Sequence, residues 1–313
     1  MSAVTLCECF ARDGLQHEPA QLPVATKRAL IERFAAIGFQ RVEATSYANP
    51  KTIAQFADAS ELLQQLQRRP GVYYKATCAN LRAIERALSD AQAGWGANEL
   101  SLLVSATESH TQKNLRASRA EQWQRIEQMV QAAGHGFRLV GTVSMAFGCP
   151  FEGAVDPRIV IEDVNRFAQL GVTHVALGDT IGTATPDRVQ HVCTELIRSL
   201  PEITLIAHFH DTRGTALVNC VAAYQAGVRY FDCAFGGVGG HPVKITYGEG
   251  HTGNVATEDL VNLFESMGID TGIDLDGLLD TLHACEQALG RTLDGRVGRS
   301  GLSPLLFNQP RNE

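Results

Sequence analysis

Eight short strand-like runs, each followed by an amphipathic stretch, occupy most of the chain and predict an α/β fold, a (β/α)8 TIM barrel with a short C-terminal helical extension. Two further observations support it. Polar and ionisable residues collect just after the strand-like runs, where barrels of this kind place their chemistry, and no linker or compositional break interrupts the alternation.

The strand-like runs are Val4–Cys9, Arg41–Thr45, Val72–Thr77, Glu99–Ser105, Arg138–Ser144, His174–Gly178, Thr204–His208 and Tyr230–Ala234, rich in β-branched and apolar residues. Between them, Ala25–Ile37, Thr52–Gln67, Leu81–Ala93, Ala120–Ala133, Arg158–Leu170, Pro186–Leu200 and Gly214–Ala226 carry helical periodicity. Glycines at 38, 134, 171 and 227 mark several helix ends. Thr107–Ser118 reads as a loop whose Lys113, Asn114 and Arg116 are either phosphate contacts or a solvated basic patch. Thr257–Met267 completes the barrel, giving residues 1–267 as the catalytic unit with a glycine-rich lid at 236–254. Residues 268–313 form the extension, with Leu275–Leu289 as a helix on the outside and a frayed tail from Asn308.

The 313 residues are 44% hydrophobic and carry a formal charge of −7 with both signs interspersed, so neither nucleic acid nor a membrane is an expected partner. The opening residues show neither a secretion signal nor a spanning segment, and the eight scattered cysteines form no C-x-x-C pair. A reducing, cytoplasmic setting is expected.

His208 and His210 stand one residue apart at the end of a strand-like run. Alternation turns both side chains the same way, roughly 6–7 Å apart along the backbone. Alone, such a pair is more often hydrogen-bonded core than ligand. Asp13, delivered by the first strand, adds a carboxylate, and the three together suit Mg²⁺, Mn²⁺, Zn²⁺ or Co²⁺ with open positions for substrate oxygens. Arg12 beside it is placed either to stabilise a developing oxyanion or to pair with Glu8 or Glu43. Gly236–Gly240 after the last strand reads as a turn or as the hinge of a mobile lid.

Phe10–Glu18, Val42–Tyr47, Gly148–Gly153, Leu177–Gly182, His208–Thr212 and Gly253–Leu260 together resemble the 3-hydroxy-3-methylglutaryl-CoA lyase family, within the DRE-TIM metallolyases. The likeness runs nearly the whole chain in order. It implies retro-Claisen cleavage of a 3-hydroxyacyl-CoA thioester to acetyl-CoA and a keto acid, with Mg²⁺ or Mn²⁺ as cofactor and a homodimer or higher homo-oligomer as the expected assembly. Carried over by position, Asp13, His208, His210 and Asn254 match metal ligands, and Arg12 matches the enolate-stabilising residue. Glu43, Asp179 and Glu258 match acids that act in the site, and Glu8, Gln16, Ser144 and Thr180 are the expected substrate contacts.

One departure stands out. The family's Gly-Gly-Leu-Gly-Gly-Cys-Pro lid pattern is Gly236–Pro242 here, with His241 in place of the cysteine that supplies the final proton. The segment onward to Asn254 is also about four residues longer than the pattern, carrying Tyr247, Glu249 and His251. Imidazole titrates at roughly 6.5 and suits general-acid work, so His241 is the expected replacement. Two alternatives remain at this stage: a condensing enzyme joining an acyl-CoA and a keto acid, and a non-catalytic metal- or acyl-CoA-binding barrel.

Overall fold

The computed structural model describes residues 3–19, 21–51, 53–240 and 253–306. Parallel strands β1 (Thr5–Glu8), β2 (Arg41–Ser46), β3 (Tyr73–Cys78), β4 (Glu99–Ser105), β5 (Arg138–Ser144), β6 (His174–Asp179), β7 (Thr204–Phe209) and β8 (Tyr230–Cys233) close into a barrel, β8 pairing back to β1. The expected barrel is the observed one, and the strand limits move by at most one residue. No described helix is long and apolar enough to cross a membrane.

Helices α1 (Val24–Ala36), α2 (Ala59–Gln65), α3 (Leu81–Gln92), α4 (Glu108–Leu115), α5 (Arg119–Ala133), α6 (Pro157–Gln169), α7 (Pro186–Ser199), α8 (Ala216–Ala226) and α9 (Thr257–Ser266) follow the strands. Their starts carry the local signals that end a loop. Ser118 and Glu121 cap α5 reciprocally, Asn80 accepts the Ala83 N–H ahead of α3, and prolines open α6 and α7. Helix α10 (Leu275–Leu289) packs on α1, where Arg33 donates to the Thr281 hydroxyl at 3.1 Å; the short α11 (Val297–Ser300) is tied to α9 by backbone N–H groups on Asp259.

Two expectations needed correction. The run over 52–67 is not one helix: the Lys27 ammonium takes the Gln55 carbonyl at 3.0 Å and an Asp58 oxygen, bending the chain so that α2 starts only at Ala59. Conversely, the stretch read as a loop contains α4, whose His110 and Thr111 are buried.

Inside the barrel the layers differ in character. Val140, Ala176 and Ile206, with Tyr230 against them, form a small apolar plug. Two residues further along, the same strands present Thr142, Gly178, His208 and Asp232, because alternate side chains face inward. A register shift between Glu43 and Thr45 breaks that alternation on β2, so Glu43 lies inside with Lys75 while Ser46 still reaches the cavity above.

Candidate active site

The C-terminal ends of the strands enclose a cavity of about 290 Å³. After β1 the chain makes one π-type turn, Phe10–Gly14, instead of running straight on; such wide turns recur at functional sites because they re-aim side chains. Here the turn brings Arg12 and Asp13 to the cavity wall beside His208 and His210. The Nε2 atoms of the two histidines are 3.1 Å apart, and His210 Nε2 lies 3.8 Å from Asp13 Oδ2. Donor atoms of Asp13, His208 and His210 all fall within 4.8 Å of one another.

Electrostatics prepare this cluster for a cation. Burial opposes ionisation of Asp13, but Arg12 and the two histidines outweigh it and hold the carboxyl below the usual range. His208 Nδ1 lies 3.2 Å from Asp232 Oδ2, so Nδ1 donates to that carboxylate and the ring is oriented with Nε2 toward the cluster. Asn254, joined to β7 by a bridge at His210, donates its amide N–H to Asp13 at 2.7 Å and to the Val238 carbonyl at 2.9 Å. Its Oδ1 is buried with no hydrogen-bond partner among the described residues. A carboxylate, two imidazoles and a spare amide oxygen fit a divalent cation.

Arg12 is fixed from both sides, with Nε 2.7 Å from Glu43 and one terminal nitrogen 2.8 Å from Asp13. Glu43 in turn accepts the Thr77 hydroxyl at 2.8 Å, so the guanidinium is oriented by a carboxylate that is itself held. Gln16 lines the cavity, and its buried amide nitrogen has no partner among the described residues. Ser144 and Thr180 also line it; the Thr180 hydroxyl accepts the N–H of Met145, whose φ of 58° is rare for a side-chain-bearing residue.

None of the expected acids Glu8, Glu43, Asp179 and Glu258 lines the cavity; Glu43 acts on it through Arg12, and the other three turn elsewhere. Glu8 follows Cys7 on β1, and alternation turns it toward the helices: its oxygens accept the N–H groups of Phe10 and Phe235 at 2.9 and 3.1 Å and the Thr257 hydroxyl at 2.6 Å. It is therefore not a substrate contact. Complete burial outweighs those bonds and raises its carboxyl to about 8. Asp179 faces away from the cavity for the same reason, since its neighbour Gly178 is the inward residue; its oxygens accept the N–H groups of Thr183 and Ala184. Glu258, in the first turn of α9, holds the Gly236 N–H at 3.0 Å, and burial raises it to about 7. All three brace the backbone around the site. His241 lies outside the described residues, as does most of the proposed lid.

Lys75 and Asp232, both cavity-lining and both buried, escaped the sequence reading. Their signal was a charged residue in the middle of a strand, which a barrel buries only with partners. Asp232 meets Arg41, Lys75 and His208, and Arg41 continues to Glu99 at 2.8 Å.

Fold and cluster together define a (β/α)8-barrel enzyme with a candidate divalent-cation centre at its strand ends. The chain belongs to the HMGL-like family, whose model matches residues 3–284. It is 37% identical over 298 residues to the mitochondrial hydroxymethylglutaryl-CoA lyase of Rattus norvegicus, covering 95% of this chain and 89% of that one. It is 35% identical over 301 residues to the 3-hydroxy-3-isohexenylglutaryl-CoA/hydroxymethylglutaryl-CoA lyase of Pseudomonas aeruginosa, covering 96% and 97%. Its fold superposes with a TM-score of 0.89 on an HMG-CoA lyase from Acinetobacter baumannii solved with coenzyme A and 3-methylmalate, at 36% identity and 96% coverage of each chain.

Proposed function

We propose that this chain is a metal-dependent carbon–carbon lyase that cleaves 3-hydroxy-3-methylglutaryl-CoA, or a close 3-hydroxyacyl-CoA analogue, to acetyl-CoA and a keto acid. The observation that carries this reading is the convergence of Asp13, His208 and His210 beside an Arg12 already oriented by Glu43.

Asp13, His208, His210 and Asn254 Oδ1 would hold the ion, with Mg²⁺ or Mn²⁺ as the reading for this mixed oxygen and nitrogen set. A divalent cation there supplies Lewis acidity that lowers the pKa of a substrate hydroxyl. As a base takes the proton of the C3 hydroxyl, the C2–C3 bond breaks, C3 becomes a ketone, and the electron pair passes to C2 as a thioester enolate. Arg12 borders the cavity as a fixed cation and is suited to hold that enolate oxygen. Its orientation costs nothing at the moment of reaction, because Glu43 and Asp13 have already set it. Gln16, with its uncommitted amide N–H, and the hydroxyls of Ser144 and Thr180 orient the acyl group. Protonation of C2 completes the reaction, and His241 is assigned this step from its place in the sequence pattern.

The relatives' names carry a methyl group at C3 in one and both isohexenyl and methyl in the other, so the substituent there is one that varies among substrates of these relatives. Work in the cytoplasm agrees with eight cysteines that are all free and buried. The test is turnover and Mn²⁺ binding by Asp13→Ala and His208→Ala. Both should be lost together in each variant; an unchanged turnover rate in either refutes the assignment.

A further inference from the structure

The cavity continues past the histidines to a floor formed by Lys75, Ser101 and Thr142, with Asp232 beside them and the apolar plug beneath. Lys75 is only 3% exposed, yet its ammonium is poorly satisfied by the protein. Its contacts are Asp232 at 3.4 Å and Glu43 at 3.6 Å, whereas charge-assisted bonds of this type normally close to about 2.7–2.9 Å. Another buried lysine provides the contrast: Lys27 reaches the Gln55 carbonyl at 3.0 Å and Asp58 at 2.6 Å. The carboxylates near Lys75 are drawn elsewhere, Glu43 to Arg12 at 2.7 Å and Asp232 to His208 at 3.2 Å. An ammonium with three protons and one long hydrogen bond therefore borders the cavity with donors to spare.

The Ser101 and Thr142 hydroxyls lie 2.8 Å apart, and within that pair only one proton is used. The other hydroxyl remains a donor to whatever enters. Gly178 on the neighbouring strand contributes no side chain, so nothing from that strand fills the space beside them. A hydrocarbon group on this floor would leave the ammonium with only its two long carboxylate contacts and one hydroxyl proton unused, whereas an accepting oxygen would satisfy both donors.

We infer that Lys75, with Ser101 and Thr142, is a specificity determinant for the group at C3 of the acyl chain, selecting a substituent that ends in a hydrogen-bond-accepting oxygen over plain hydrocarbon. The inference rests on the lyase reading above and names its substrate class. It assigns Lys75 a role in recognition and not in bond cleavage.

The experiment uses the full chain with Mg²⁺ and three thioesters: 3-hydroxy-3-methylglutaryl-CoA and its analogues with hydroxymethyl or ethyl at C3, the last two being nearly equal in size. Wild type should favour hydroxymethyl over ethyl by about tenfold or more in kcat/KM. Lys75→Met should collapse that ratio toward one, and Thr142→Val, which leaves every ion pair in place, should lower it severalfold. A wild-type preference for ethyl, or a ratio untouched by both variants, overturns the inference while leaving the lyase reading intact. If wild type cleaves none of the three, the lyase reading falls first and this one with it.

Discussion

Asp232 is not itself an expected metal ligand, yet replacing it should weaken the metal site. Its Oδ2 lies 3.2 Å from His208 Nδ1, and that contact holds the ring with Nε2 toward Asp13 and His210. Partners that orient a metal-binding histidine are worth about 10–100-fold in metal affinity, or about 1.4–2.8 kcal/mol. Asp232→Asn keeps an oxygen able to accept from Nδ1 and removes only the charge, so its loss should fall near the lower figure. Asp232→Leu removes both and should reach the upper one. Global stability should fall by less than the roughly 3–5 kcal/mol of a fully broken buried pair. The reason is that Arg41 keeps Glu99 at 2.8 Å and Lys75 keeps Glu43. Isothermal titration with Mn²⁺, alongside thermal melts, measures both quantities. An Asp232→Leu protein that is folded and binds Mn²⁺ within twofold of wild type would refute this chain of reasoning.

Other consequences are open to simpler assays. Glu43→Gln weakens the anchor on Arg12 Nε without removing a cavity-lining residue, so kcat should drop by about tenfold or more while KM changes little; a KM effect alone would contradict the positioning role. Glu8 and Glu258 are raised by burial to about 8 and about 7, so the folded state holds their protons where the unfolded state has lost them. Their stabilising contribution is complete below the unfolded pKa near 4.5 and disappears as pH rises through 7 and 8. Glu8→Gln and Glu258→Gln should therefore flatten the decline of melting temperature across that window, and a wild-type melting temperature that climbs from pH 5 to 8 would argue against both. Gly239 has a φ of 146°, and a Cβ there would collide with the Asn254 amide. Gly239→Ala should thus reduce metal affinity without a comparable loss of fold.

The barrel was legible because its cause is periodic. Short apolar runs bounded by glycines and prolines report a repeated unit, and β4 and β5 begin and end where the pattern places them. The cation cluster was legible because three of its parts, Asp13, His208 and His210, sit at strand ends and alternate side chains share a face. The same rule, applied consistently, would have turned Glu8 and Asp179 away from the cavity, since each is next to an inward residue. Lys75 and Asp232 were hidden for a different reason: their meaning depends on which strand stands opposite, and pairing across a barrel leaves no trace in local spacing. Helix α4 was missed because its surface is almost entirely polar, so no apolar stripe announced it; tertiary burial of His110 and Thr111 holds it instead.

Product analysis tests the central claim most directly. The full chain is incubated with 3-hydroxy-3-methylglutaryl-CoA and Mg²⁺ or Mn²⁺, and acetyl-CoA and acetoacetate are quantified with and without a chelator. Equimolar appearance of both products, abolished by chelation and restored by the metal, is the predicted result. Cleavage that continues undiminished in the chelated enzyme, or consumption of the thioester with release of free CoA and no acetoacetate, would contradict the account.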